Sequence, residues 1–167
     1  SFMAVSVNPY LRQARSCLIT HANEGAPPED AWSAAYLPLT RLLGNPLTKA
    51  LRKTGELKQD YRYIGTDFAF EEEKAVNEHV VPLRCIHQEL IDSPHHWSGK
   101  DGVATLKAFM VEHLVIASIP KSLDKKLSRS AMPDPQWSHP IGPDLSAEQK
   151  QKALWSRYAR IEPKLVL

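Results

Sequence analysis

Glu78-His79-Val80-Val81-Pro82-Leu83 sets an acid beside an imidazole, follows them with two β-branched residues and ends the run with a proline. Branched side chains favour extended backbone, and proline disfavours helix in the residue before it, so the stretch reads as a short strand over 78–81. Downstream, Leu114-Val115-Ile116-Ala117 has the apolar, branched character of a buried strand, and Pro120 opens a helix over 121–127. Two short strands and a helix therefore lie in chain order across residues 78–127. The two strands come together only if the chain between them folds back.

An acid next to a histidine at a strand end has a definite chemical use. The carboxylate can hold a divalent metal, and the imidazole can take a proton from water that attacks a phosphodiester. Neighbours on a strand point to opposite sides, so both serve one site only where the strand twists or ends, as Pro82 allows. A further ligand is expected from the helix across the strands, where Asp124 is the acid.

The run from Glu78 to Leu83 resembles the first motif of the HNH (ββα-metal) nucleases, an acid-His-aliphatic-x-Pro sequence. His113-Leu114-Val115-Ile116-Ala117 and the helix after it are similar to that family's second strand and metal-binding helix. The resemblance implies a ββα-metal core at 78–127, with Glu78 and Asp124 as metal ligands and His79 as general base. His113 stands where the family has an asparagine that orients the base. It also implies a metal-dependent endonuclease acting on DNA in restriction, phage defence or toxin action, with a Mg²⁺-like ion. A second copy of the chain and an inhibitor or immunity protein are the protein partners such a reading admits. Lys121, Lys125, Lys126 and Arg129 would contact phosphates beside the ion.

Working outward, Asn8-Pro9 reads as a helix start, and Leu11, Ala14, Leu18 and Ile19 give helical apolar spacing up to Asn23-Glu24-Gly25. A second helix begins at Pro27-Pro28-Glu29-Asp30, with a break expected at Pro38. A third runs from Leu47 to Lys53. Residues 56–66 read as loop or short strand, 68–77 as helix with Glu71-Glu72-Glu73 on a solvated face, and Leu83 to Ile91 as helix. His95-His96-Trp97 reads as a tethered loop and Val103 to Glu112 as helix. Residues 130–145 are proline-rich and irregular. Ser146 and Gln149 fit a capping box at the start of a helix reaching about Arg160, with Trp155, Arg157 and Tyr158 packing it onto the core.

The expected fold is mainly α with a small β-hairpin, an α+β protein in a single domain over 3–167. N-terminal helices occupy 3–55, the candidate core 78–127, and a proline-rich segment with a last helix 128–167. Ser1-Phe2 ahead of Met3 reads as a non-native extension. The 167 residues are 43% apolar and 24% charged, which suits a globular chain rather than a disordered one. A net charge of +2 permits a polyanion partner without demanding one. Cys17 and Cys85 form no C-x-x-C pair, which argues against a disulfide framework or zinc knuckle. With no run of roughly twenty apolar residues and no leader pattern, the expected setting is cytoplasmic, without membrane.

Competing readings attach to the same residues. Glu78-His79 can be a surface strand feeding a helix, and His113 a hydrogen-bonded core histidine. The lysines of 121–129 can be a solvated face. Arg12, Arg15, Arg41, Lys49, Arg52 and Lys53 make the N-terminal helices basic as well. A non-enzymatic helical module that binds nucleic acid or another protein is therefore the alternative to the enzyme.

Overall fold

Leu11, Ala14 and Leu18 recur at helical spacing and are all buried, and they define one face of α1 (Asn8–Glu24). This is seen in a computed structural model, which describes residues 8–24, 38–57, 75–129, 131–138 and 144–160. The Pro27 helix start, the chain before Pro38, residues 58–74 with the Glu71-Glu72-Glu73 run, and residues 161–167 lie outside that description. The described residues are mainly helical with one two-stranded antiparallel sheet, the α+β class expected.

The chain divides into two compact units, Ser1–Lys58 with Leu83–Glu112, and Gln59–Pro82 with His113–Leu167. The first holds α1, α2 (Asn45–Lys53), α3 (Leu83–Asp92) and α4 (Gly102–His113) up to Glu112. Its core gathers Leu39, Leu43, Leu47, Leu51, Ile86, Leu90, Leu106 and Phe109. Pro46 near the start of α2 supplies a pre-set φ where a backbone N–H would have no partner. Between α3 and α4, Trp97 is fully buried, edge-on to Phe109 at 5.5 Å, with its indole N–H on the Leu90 carbonyl at 3.1 Å.

Arg15 reaches across from α1 and donates to the carbonyls of Trp97 at 2.5 Å, Ser98 at 3.0 Å and Gly99 at 3.0 Å. His95-His96-Trp97 is thus a pinned turn, the tethered reading, with a 3₁₀ turn over Pro94–His96. Gly102 closes it: a Cβ there would overlap the Trp97 carbonyl oxygen and the Arg15 guanidinium. A Gly102→Ala chain is expected to lose about 1–3 kcal/mol of stability, as overpacking of a rigid backbone does. Chemical denaturation followed by Trp fluorescence reads this as a lower midpoint with unchanged slope.

The second unit holds β1 (Ala75–His79), β2 (Ile116–Pro120), α5 (Lys121–Asp124) and α6 (Ala147–Leu154). The strands pair antiparallel with Val76 opposite Ile119, Glu78 opposite Ala117 and His79 opposite Ile116. The Val80 N–H extends the ladder to the Val115 carbonyl at 2.9 Å. The α5 turn follows β2 directly and packs on both strands.

Boundaries differ from the sequence reading. β1 begins at Ala75, inside the stretch expected to be helical, and ends at His79 rather than Val81. Val80 and Val81 are fully buried in the bend after β1, so their bulk serves the core rather than a strand. β2 is shifted toward Pro120, which sits at the strand's end where its missing N–H costs little. The expected 121–127 helix is a single turn, with Leu127 buried by the turn after it.

The expected capping box at Ser146 and Gln149 is present in both directions, at 3.2 and 2.9 Å. The last helix ends at Leu154, not near Arg160, and a 3₁₀ turn follows over Tyr158–Arg160. Trp155, Arg157 and Tyr158 are all buried, which a continuous α-helix with one inward stripe does not achieve for residues at this spacing.

Candidate metal site

Glu78 lies on β1 one residue before its end, and Asp124 closes the single turn of α5. Because α5 packs across both strands, these acids, far apart in sequence, meet. Burial holds the Glu78 carboxyl above the ordinary carboxylate range, and the adjacent Asp124 carboxyl raises it further, with Arg157 and Arg129 opposing. Asp124 Oδ1 is buried with no hydrogen-bond partner, while its Oδ2 accepts from the exposed Arg129 at 3.1 Å. Two carboxyls pressed together, one oxygen unsatisfied, is an arrangement that costs stability unless a cation or proton joins it.

Arg157 organises the floor of this site. Its guanidinium, almost wholly buried, donates to the carbonyls of Val80 at 2.9 and 3.1 Å, His79 at 2.5 Å and Ser128 at 2.5 Å. Its distance to the Glu78 carboxylate is 3.7 Å, longer than a charge-assisted hydrogen bond. The donors are therefore spent on backbone, and the acids are only partly neutralised. Tyr158 adds a buried phenolic oxygen with no hydrogen-bond partner, its ring 5.7 Å from the Arg157 guanidinium. Burial pushes that phenol well up, and the Glu78 and Asp124 charges push it further.

His79 is the last residue of β1 and the chain bends at Val80, which is the condition for an imidazole to join its neighbour's side of the strand. Its backbone carbonyl is clamped by Arg157 and its Nδ1 is buried. His113 is a core residue: fully buried, its Nε2 is 2.8 Å from the Trp137 carbonyl and its ring is edge-on to the indole. That contact gives the ring a packing role. Lys121, Lys125, Lys126 and Arg129 are all exposed on and after α5, flanking Asp124 in sequence.

The donor set suits a hard divalent ion. Among the described residues no group of three or more His, Cys, Asp or Glu side chains could hold a metal ion, so an ion here would have at most the two carboxylates as protein ligands. Mg²⁺ is commonly held by one or two carboxylates, with water and phosphate oxygens completing its shell. The orphaned Asp124 oxygen beside Glu78 fits that demand.

Sequence reasoning named Glu78, His79 and Asp124 as candidates through residue type and motif. It assigned Arg157 and Tyr158 to packing alone, and no spacing in the chain ties them to the acids.

A consequence for stability follows. With its folded value raised, Glu78 favours the fold while protonated, and that contribution is lost as pH rises from the ordinary 4.5 through the raised value. At neutral pH the ion-free pair therefore works against the fold. Asp124→Asn, whose amide can donate to Glu78, is expected to melt roughly 2–4 °C higher near pH 7, the effect of about 1 kcal/mol in a chain of this size. The gain should vanish below the carboxylate range, which melting curves at several pH values check.

Among the described residues no helix is long and apolar enough to cross a membrane. No family model, curated protein or solved structure matches the chain.

Proposed function

We propose that this protein is a metal-dependent endonuclease that hydrolyses phosphodiester bonds of DNA, with an HNH-like ββα site. The observation that supports the reading is the meeting of Glu78 and Asp124, from the first strand and the turn after the second, where one Asp124 oxygen is buried without a hydrogen-bond partner. Those two side chains would hold the ion. A bound divalent cation supplies positive charge against the charge that develops on the scissile phosphate. His79 takes the proton from the attacking water. Arg157 fixes the strand end that carries both residues, through the His79 and Val80 carbonyls. Lys121, Lys125 and Lys126 lie exposed where a phosphate backbone would approach.

A purely structural acid pair neutralised by Arg157, whose guanidinium lies 3.7 Å from the Glu78 carboxylate, is the competing explanation. Supercoiled plasmid incubated with the purified protein decides between them. Nicking is expected with added Mg²⁺ or Mn²⁺, none with chelator, and none with Glu78→Gln. Equal nicking by wild type and Glu78→Gln, or none by the wild type with either ion, contradicts the proposal.

A further inference from the structure

We propose that the first unit carries a separate binding site for a single nucleic-acid strand, in the cleft between Tyr10 of α1 and the Asn45–Lys53 helix. The cleft has a volume of about 530 Å³ and is lined by Tyr10, Asn45, Pro46, Lys49, Ala50 and Lys53. That volume is within the range that encloses small ligands, and one nucleotide fits it.

Charge selects an anion. Among the described residues no acid lines the cleft, and α2 carries Lys49, Arg52 and Lys53 with no acidic residue in its nine. Lys49 and Lys53 are one turn apart, so their ammonium groups share a face and repel each other. Both are exposed, and among the described residues neither makes an ion pair. Elsewhere in the same unit Lys107 has a carboxylate at 2.5 Å on Glu56, so this face differs in leaving its cations without one.

The remaining lining groups select a nucleotide over an acidic peptide. Tyr10 is a half-buried aromatic in the cleft wall, available as a platform for a base, and stacking of this kind tolerates any base. Asn45 offers a carboxamide, which presents a donor and an acceptor together, as base edges do. Two lysines a helical turn apart can meet successive phosphates of a strand. An acidic peptide would engage only the lysines.

The site does not depend on the catalytic reading, and its test needs no metal. Binding of a fluorescent single-stranded oligo(dT) to the full chain is followed by anisotropy in chelator at low salt. Lys49→Glu/Lys53→Glu is expected to weaken binding at least about tenfold and to lower the slope of log K against log salt by roughly 1–2. Lys49→Gln/Lys53→Gln should fall between it and the wild type. Tyr10→Ala is expected to weaken binding about fivefold or more, while Tyr10→Phe keeps the platform and stays within about twofold.

A double-lysine variant that keeps wild-type affinity and salt slope overturns the site. So does poly-glutamate competing as well as oligo(dT) regardless of Tyr10. If the oligonucleotide behaves as expected while plasmid is never nicked, the catalytic reading falls and the cleft stands.

Discussion

A His79→Ala protein is expected to nick plasmid at least about 10²-fold more slowly than the wild type, with the divalent ion bound as before. The two effects separate because, in the proposed mechanism, Glu78 and Asp124 would hold the ion while His79 would take the proton. β1 ends at His79, Arg157 clamps its backbone carbonyl and Val80 begins the bend. Truncation to alanine leaves the clamp in place, since Arg157 holds main-chain oxygens. A purely structural histidine would show its loss in the melting curve. A general base shows it in the rate, with partial rescue by added imidazole. A rate within a factor of about two of wild type removes His79 from the chemistry.

Arg157→Ala should produce the largest loss of stability of any single change in the second unit. The residue is 2% exposed, and its guanidinium ties the end of β1, through the carbonyls of His79 and Val80, to the Ser128 carbonyl after α5. Its removal leaves three carbonyl oxygens without that donor, and leaves the Glu78–Asp124 pair without its nearest buried positive charge. Breaking one side of a buried charged network costs about 3–5 kcal/mol. That is a large part of the total for an ordinary domain and lowers the melting temperature by roughly 10 °C or more. Lysine should rescue little, because one ammonium cannot reproduce a planar fork that meets several carbonyls. A saturating divalent ion should recover part of the loss by taking over the role of counter-charge to the acids. Equal melting of wild type and Arg157→Ala would show that the clamp contributes nothing.

The parts of the fold that were legible in the sequence are those where a local rule decides. The helix at Asn8-Pro9, the helices expected over 83–91 and 103–112 and the Ser146–Gln149 capping box follow from periodicity and caps, and the structure has all of them to within a residue at the helix ends. The pairing of two short strands with a helical turn after the second was also expected, but its boundaries were not. Val80 and Val81 look like strand residues by propensity, yet they are fully buried in the bend after β1, and Ala75-Val76-Asn77 take the ladder instead. Likewise the helix after Ser146 stops at Leu154 because Trp155, Arg157 and Tyr158 must all turn inward.

The candidate site divides in the same way. Glu78 and Asp124 could be named because carboxylates beside a histidine and on the following helix carry a chemical expectation. Arg157 could not, since its contacts span the whole unit and only the folded chain brings its guanidinium to the end of β1. His113, which the resemblance places beside the base, has its ring on Trp137, a contact that depends on the irregular proline-rich segment and has no sequence signal.

The convergence of Glu78 and Asp124 on one ion is tested most directly by calorimetric titration of the ion-free protein with Mn²⁺ near neutral pH. Wild type and His79→Ala should each bind one ion, and more weakly as falling pH returns the proton to Glu78. Glu78→Gln and Asp124→Asn should bind none at that site. Equal Mn²⁺ binding by the wild type and both carboxylate variants, or no binding by any of them, would contradict the account.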